Sequence, residues 1–145
     1  MKLLVQRVKN AEVIVDEKTV GKIGKGFLVL CGITHSDTEA EADFLANKLC
    51  NLRVFEDEND KMNLSIQDIG GELLIVSQFT LYANCKSGNR PSFTEAAKPE
   101  QADRLYEYLI QKCEQHGLPV EKGIFGAHMN VKLENDGPVT IMLEK

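Results

Sequence analysis

"ELLIVSQFTL", Glu72 to Leu81, decides how the rest of the chain is read. Its first five residues are too continuously apolar for a half-exposed strand. They read as a strand buried on both faces. Ser77 and Gln78 then arrive where burial should be deepest. Continued alternation predicts Ser77, Phe79 and Leu81 on one face and Gln78 and Thr80 on the other. The strand runs on into "YANCKSGNRPSF", a loop rich in Gly, Asn and Arg. Polar groups at a strand's exit beside a basic loop suit a binding pocket. They equally suit a hydrogen-bonded pair that closes the strand.

A second stretch, "FLVLCGIT" from Phe27 to Thr34, has the same apolar continuity and reads as a second buried strand. Upstream, "KLLVQRV" and "AEVIVD" alternate as strands with a bend at Lys9 and Asn10, and "DEKTVGKIGKG" reads as a hairpin and turn. Ser36 and Glu39 have capping-box spacing and open a helix whose stripe is Phe44, Leu45, Leu49 and Leu52. "RVFED" is a short strand and "ENDKMNLSIQDIGG" a loop. Pro99 suits the first position of a second helix, with Ala102, Leu105, Leu109 and Cys113 as its buried stripe and Gly117 beyond its end. The expected class is α+β: a strand-dominated, mostly antiparallel core with two principal helices.

Length and composition bound the function. The chain has 145 residues, read as one domain over 1–145, with 43% hydrophobic and 27% charged residues. No apolar run approaches the ~20 residues of a membrane-spanning helix. Nothing at the start reads as a signal peptide, so a cytoplasmic protein without a membrane partner is expected. Cys31, Cys50, Cys85 and Cys113 are scattered and unaccompanied by histidine clusters, so neither a disulfide framework nor a metal site is expected. A net charge of −5 does not advertise a duplex-coating protein, although holding an RNA end needs only a local patch. Lys86 and Arg90 are the candidates for such a patch; a solvated turn explains them as well.

The C-terminus carries "NDGPVT", Asn135 to Thr140, between strand-like segments. Asn-Asp-Gly is strong turn chemistry, and a hairpin between two C-terminal strands accounts for it. Proline in such a setting belongs at an edge, turn or bulge.

Taken together, "VQRV", "GKGFLVLCGI", "KMNLSI", "SQFTL", "RPSF" and "NDGPVT" resemble the D-aminoacyl-tRNA deacylase family, also called D-tyrosyl-tRNA deacylases, along the whole chain. The resemblance implies that family's fold and hydrolysis of the ester between a D-amino acid and the terminal adenosine of tRNA. It also implies removal of glycine mischarged on tRNA for alanine. It implies a homodimer with no metal or organic cofactor. Each site would combine Ser77, Gln78, Phe79 and Thr80 of one subunit with a cis Gly137–Pro138 of the other, which rejects L-amino acids.

The residues offer no conventional hydrolytic set. No GxSxG elbow is present. His35 and His116 flank helices and should face solvent, and His128 stands without a partner motif. Thr80 is the hydroxyl at the motif. One reading makes it the nucleophile. The other lets the 2′-OH of the terminal ribose activate water while backbone N–H groups near Phe79 hold the oxyanion. A small-ester hydrolase using Thr80 and a non-catalytic module that binds RNA ends are the rival classes.

Overall fold

Fourteen residues of alternating burial make the first strand the spine of the molecule. The computed structural model describes residues 1–145. β1 (Lys2–Val15) is followed by β2 (Lys18–Ile23), β3 (Gly26–Gly32), α1 (Glu39–Asn51), β4 (Phe55–Glu56) and β5 (Met62–Leu64). Then come β6 (Glu72–Ser77), a 3-10 helix (Phe79–Tyr82), α2 (Pro99–Gln115), β7 (Val120–Lys122) and β8 (Asn130–Glu144). Along one edge, β1 pairs antiparallel with β3 through its first half and with β2 through its second; along the other it pairs with β8. β3 continues in parallel to β6, and β6 in parallel to β7. The α+β class, the two helices and the mostly antiparallel sheet are as expected.

The continuous apolarity of β3 and β6 has a direct cause. Phe27, Val29, Cys31, Leu73 and Ile75 face the larger core beneath the helices. Leu28, Leu74 and Val76 face a second core with Val8, Ala11, Val13 and Ile23, where β2 folds back over β6 and β7. Gly21 permits that return, because a Cβ there would stand 2.7 Å from Lys122 O.

The helices differ from expectation in detail. The capping box is Thr38–Glu41, not Ser36–Glu39. Asp37 is otherwise engaged: it accepts from the Met1 ammonium at 2.6 Å and from Thr34 N–H at 2.8 Å. The buried stripe of α1 is Ala42, Leu45, Ala46, Leu49 and Cys50, whereas Phe44 is exposed. α2 begins at Pro99 as expected, and Tyr106 from its buried face donates to Ile75 O at 2.7 Å. Gly117 follows α2 at φ +84°.

Two further corrections concern strands. The stretch read as a loop holds β5, paired with β4, and β7 was not foreseen. The C-terminus is not a hairpin. Both halves of β8 pair with β1, Val8 opposite Asn135 and Gln6 opposite Thr140, so residues 136–139 loop out opposite the single Arg7.

Candidate active site

Ser77 is the last residue of β6 and pairs with Cys31 of β3. Gln78 N–H still donates to Cys31 O at 2.7 Å, but its ψ of 83° takes the chain out of the strand. Phe79 to Tyr82 then coil into the 3-10 helix, closed by Leu81 N–H to Gln78 O (3.3 Å) and Ala83 N–H to Thr80 O (3.0 Å). The alternation expected through Leu81 therefore stops at Ser77. Gly32 lets the helix sit close, because a Cβ there would meet Leu81 Cβ at 2.9 Å and Gln78 O at 3.1 Å.

This exit opens a cavity of about 600 Å³. Ser77, Gln78 and Phe79 line one side; Phe93, Phe125 and His128 are among the residues lining the rest. Phe79 is 56% exposed, and its ring meets Phe93 edge-on at 5.0 Å. The "RPSF" motif thus supports "SQFTL" directly. Thr80 Oγ1 accepts a hydrogen bond from the Gln78 side-chain amide. Its partner is therefore an amide, which cannot serve as a general base. Cys31, at the cavity wall, is no substitute nucleophile: burial pushes its thiol up to about 12.

His35 and His116 are exposed as expected; His35 Nε2–H donates to Thr94 O at 2.7 Å. Of the three histidines, His128 alone lines the cavity. No group of three or more His, Cys, Asp or Glu side chains is placed to hold a metal ion.

Gly137 and Pro138 do not line this cavity in their own chain. They stand exposed on the looped-out segment of β8, and the bond between them is cis. Side chains fix the segment at its base. Val139 N–H donates to Asn135 Oδ1 at 2.9 Å, and Asn135 Nδ2 to Thr140 Oγ1 at 3.0 Å. Arg7, only 4% exposed, donates from Nε to Asp136 O at 3.0 Å and from Nη1 to Val54 O at 2.6 Å. A Cβ on Gly137, whose φ is +133°, would stand 2.9 Å from Val139 Cγ2 and 3.3 Å from Arg7 Nη2.

Sequence reasoning missed Arg7. The signal was present: alternation from Leu3 and Val5 puts position 7 inward, and a charged residue in a core position needs partners. Lys86 and Arg90 are exposed in the loop tied by the Asn84–Ser92 bridge. Lys86 borders a second groove; Arg90 does not.

The comparisons agree on kinship. The family model described as D-Tyr-tRNA(Tyr) deacylase matches residues 4–144. A D-aminoacyl-tRNA deacylase of Clostridioides difficile is 57% identical over 144 residues, which are 99% of this chain and 97% of that protein. Another, from an Exiguobacterium species, is 57% identical over 145 residues, covering 100% and 99%. Among solved structures, one described as c-Myc DNA Unwinding Element Binding Protein superposes with a TM-score of 0.94 at 43% identity, covering 100% and 99%. A second, described as a probable eukaryotic D-amino acid tRNA deacylase, gives 0.82 at 17% identity, covering 98% and 97%, a likeness of fold.

Proposed function

The chain belongs to the D-Tyr-tRNA(Tyr) deacylase family and hydrolyses the ester of D-aminoacyl-tRNA, and we propose that it does so in a site shared by two subunits. The terminal adenosine enters the cavity beside Ser77–Phe79, whose apolar and aromatic walls suit a nucleobase. The ester carbonyl lies against the start of the 3-10 helix, where a first turn presents N–H groups without intrahelical partners. Those near Phe79 stabilise the oxyanion.

The observation that carries the mechanism is the Gln78–Thr80 hydrogen bond. It gives the Thr80 hydroxyl an amide for a partner. Thr80 and Gln78 therefore orient substrate and water, and the vicinal 2′-OH of the substrate's own ribose activates the water. The amide hydrogen bond favours this reading over a Thr80 nucleophile.

Chirality is judged by main chain. Gly137 and Pro138 are exposed on their own subunit, on a segment anchored by a buried arginine. This placement suits a projection into the partner subunit's cavity. There main-chain carbonyl oxygens of the projection accept hydrogen bonds from the substrate's ammonium group, so an L side chain meets main-chain atoms and a D side chain stays free. Main-chain atoms cannot swing aside as a rotamer can, so specificity comes from exclusion and not from fit. Glycine, lacking a side chain, passes, and glycyl-tRNA for alanine becomes a substrate.

The test is incubation with D-aminoacyl-tRNA, L-aminoacyl-tRNA and a simple D-amino acid ester. Hydrolysis of the first alone is expected. Turnover of the simple ester would point to a general esterase, and binding without turnover to a module for RNA ends.

A further inference from the structure

The 3-10 helix that borders the cavity also borders a second groove. In a 3-10 helix, side chains at i and i+3 eclipse, and three residues rise about 6 Å. Phe79 and Tyr82 therefore share one strip, a turn apart. Phe79 belongs to the cavity described above, and Tyr82 to a polar groove of about 430 Å³. The groove is lined by Lys2, Tyr82, Asn84, Lys86 and Glu95, with Ala83 and Cys85 between them.

Its chemistry is mixed in a specific way. Lys2 Nζ lies 4.6 Å from the centroid of the half-buried Tyr82 ring and 3.8 Å from Glu144 Oε1, so this cation is held in place at the groove wall. Lys86 supplies a second cation. Asn84 Oδ1 accepts from Lys86 N–H at 3.0 Å, which leaves the Asn84 amide hydrogens free to donate. Glu95 supplies an acceptor-only carboxylate. Two cations suit a phosphodiester. A carboxylate and an amide donor lining the same groove suit the Watson–Crick edge of cytosine, which presents an amino donor at N4 next to acceptors at N3 and O2. Uracil puts a carbonyl oxygen where cytosine has its amino group, and that oxygen would face the Glu95 carboxylate.

We propose that this groove binds the nucleotide preceding the terminal adenosine and reads it as cytidine. Glu95 accepts from the base, and Lys2 and Lys86 hold the connecting phosphate. The assignment rests on the terminal adenosine occupying the Phe79 cavity. It explains how an acidic chain grips an RNA end: a few fixed charges contact one linkage, and no basic surface is required.

The experiment uses three minimal substrates carrying the same D-amino acid on the terminal ribose: adenosine, the dinucleotide CpA and the dinucleotide UpA. Wild-type protein should show kcat/KM for CpA roughly tenfold above UpA, the scale of one well-made base contact. It should also favour CpA over adenosine. Glu95→Gln should bring the CpA to UpA ratio close to one, because a side-chain amide can turn to face either base. Lys2→Gln should reduce the advantage of both dinucleotides over adenosine. Equal rates on CpA and UpA with wild-type protein, or a ratio unchanged in Glu95→Gln, would overturn the assignment. Adenosine reports the chemistry separately. Its hydrolysis without any dinucleotide advantage sinks the groove alone. Failure on all three substrates while D-aminoacyl-tRNA is hydrolysed overturns the groove alone, and failure on D-aminoacyl-tRNA as well removes the deacylase reading with it.

Discussion

Replacing Arg7 by Met tests whether the Gly137–Pro138 segment must be held still. The side chain is 4% exposed, and methionine fills much of its volume without charge. Two hydrogen bonds vanish, to Asp136 O at 3.0 Å and to Val54 O at 2.6 Å. The neighbouring carboxylates of Asp136 and Glu56, at 3.7 and 3.6 Å, lose their cation. A hydrogen bond from a charged donor is worth about 1.5–3 kcal/mol. The bond to Asp136 O alone therefore biases the segment by that amount. At 1.4 kcal/mol per decade, the equilibrium constant for its competent arrangement falls roughly 10- to 150-fold. kcat/KM on D-aminoacyl-tRNA should fall by up to the same factor, since only the competent fraction acts. Circular dichroism and urea unfolding would show the variant folded, and single-turnover deacylation would read the loss. A folded Arg7→Met protein with wild-type kcat/KM would refute the claim that Arg7 positions the segment.

Thr80→Ala should retain easily measured deacylation, whereas a substrate ending in 2′-deoxyadenosine should be hydrolysed poorly. A loss near the roughly 10⁶-fold seen when a true nucleophile is deleted would instead make Thr80 the nucleophile. Asp37→Ala should cost about 3–5 kcal/mol, because it removes the charged partner of the Met1 ammonium and leaves that ammonium only the Lys145 carbonyl. Thermal unfolding should drop by on the order of 10 °C; a drop within error would mean the pair is replaceable by solvent. Acid should also destabilise the fold. Hydrogen bonds from Thr38 lower the pKa of Glu41, those from the Asn59 and Lys61 N–H groups that of Asp57, and those from Ser65 that of Asp68. Folded values below unfolded ones mean stability is present above the unfolded pKa and is lost as pH falls through the folded one. The urea midpoint should hold from neutrality to about pH 5 and decline below about pH 4.5, and a flat or rising midpoint there would contradict these bonds.

Much of the fold was legible because its signals are local. The two apolar runs of β3 and β6, Pro99 at the start of α2 and Gly117 after its end each follow from short-range chemistry. What was missed depends on partners distant in sequence. β7 is a strand of Val120–Lys122 only because β6 offers an edge. The "NDGPVT" segment looks like a hairpin until β1 is seen to pair with both of its flanks. The capping box shifts from Ser36 to Thr38 because Asp37 is drawn to Met1. At the candidate site, the nearness of "RPSF" to "SQFTL" follows from the Phe93–Phe79 contact, which no periodicity could supply. Arg7 could have been found from its inward register in β1. The groove at Tyr82 could not, since Lys2, Tyr82 and Glu95 come from three separate segments.

The shared site can be tested by mixing two impaired variants. Gly137→Ala damages the gate, since its Cβ would crowd Val139 and Arg7 at a φ of +133°. Gln78→Ala combined with Thr80→Ala damages the motif of the other variant. Each homodimer should be strongly impaired, the second because it loses both side chains that orient substrate and water. After subunit exchange, a mixed dimer unites an intact motif from one chain with an intact gate from the other, leaving about a quarter of all sites whole. D-aminoacyl-tRNA hydrolysis should rise to about that fraction of the wild-type rate on mixing. Activity that stays at the level of the separate variants, with exchange confirmed, would contradict a gate acting across the subunit interface.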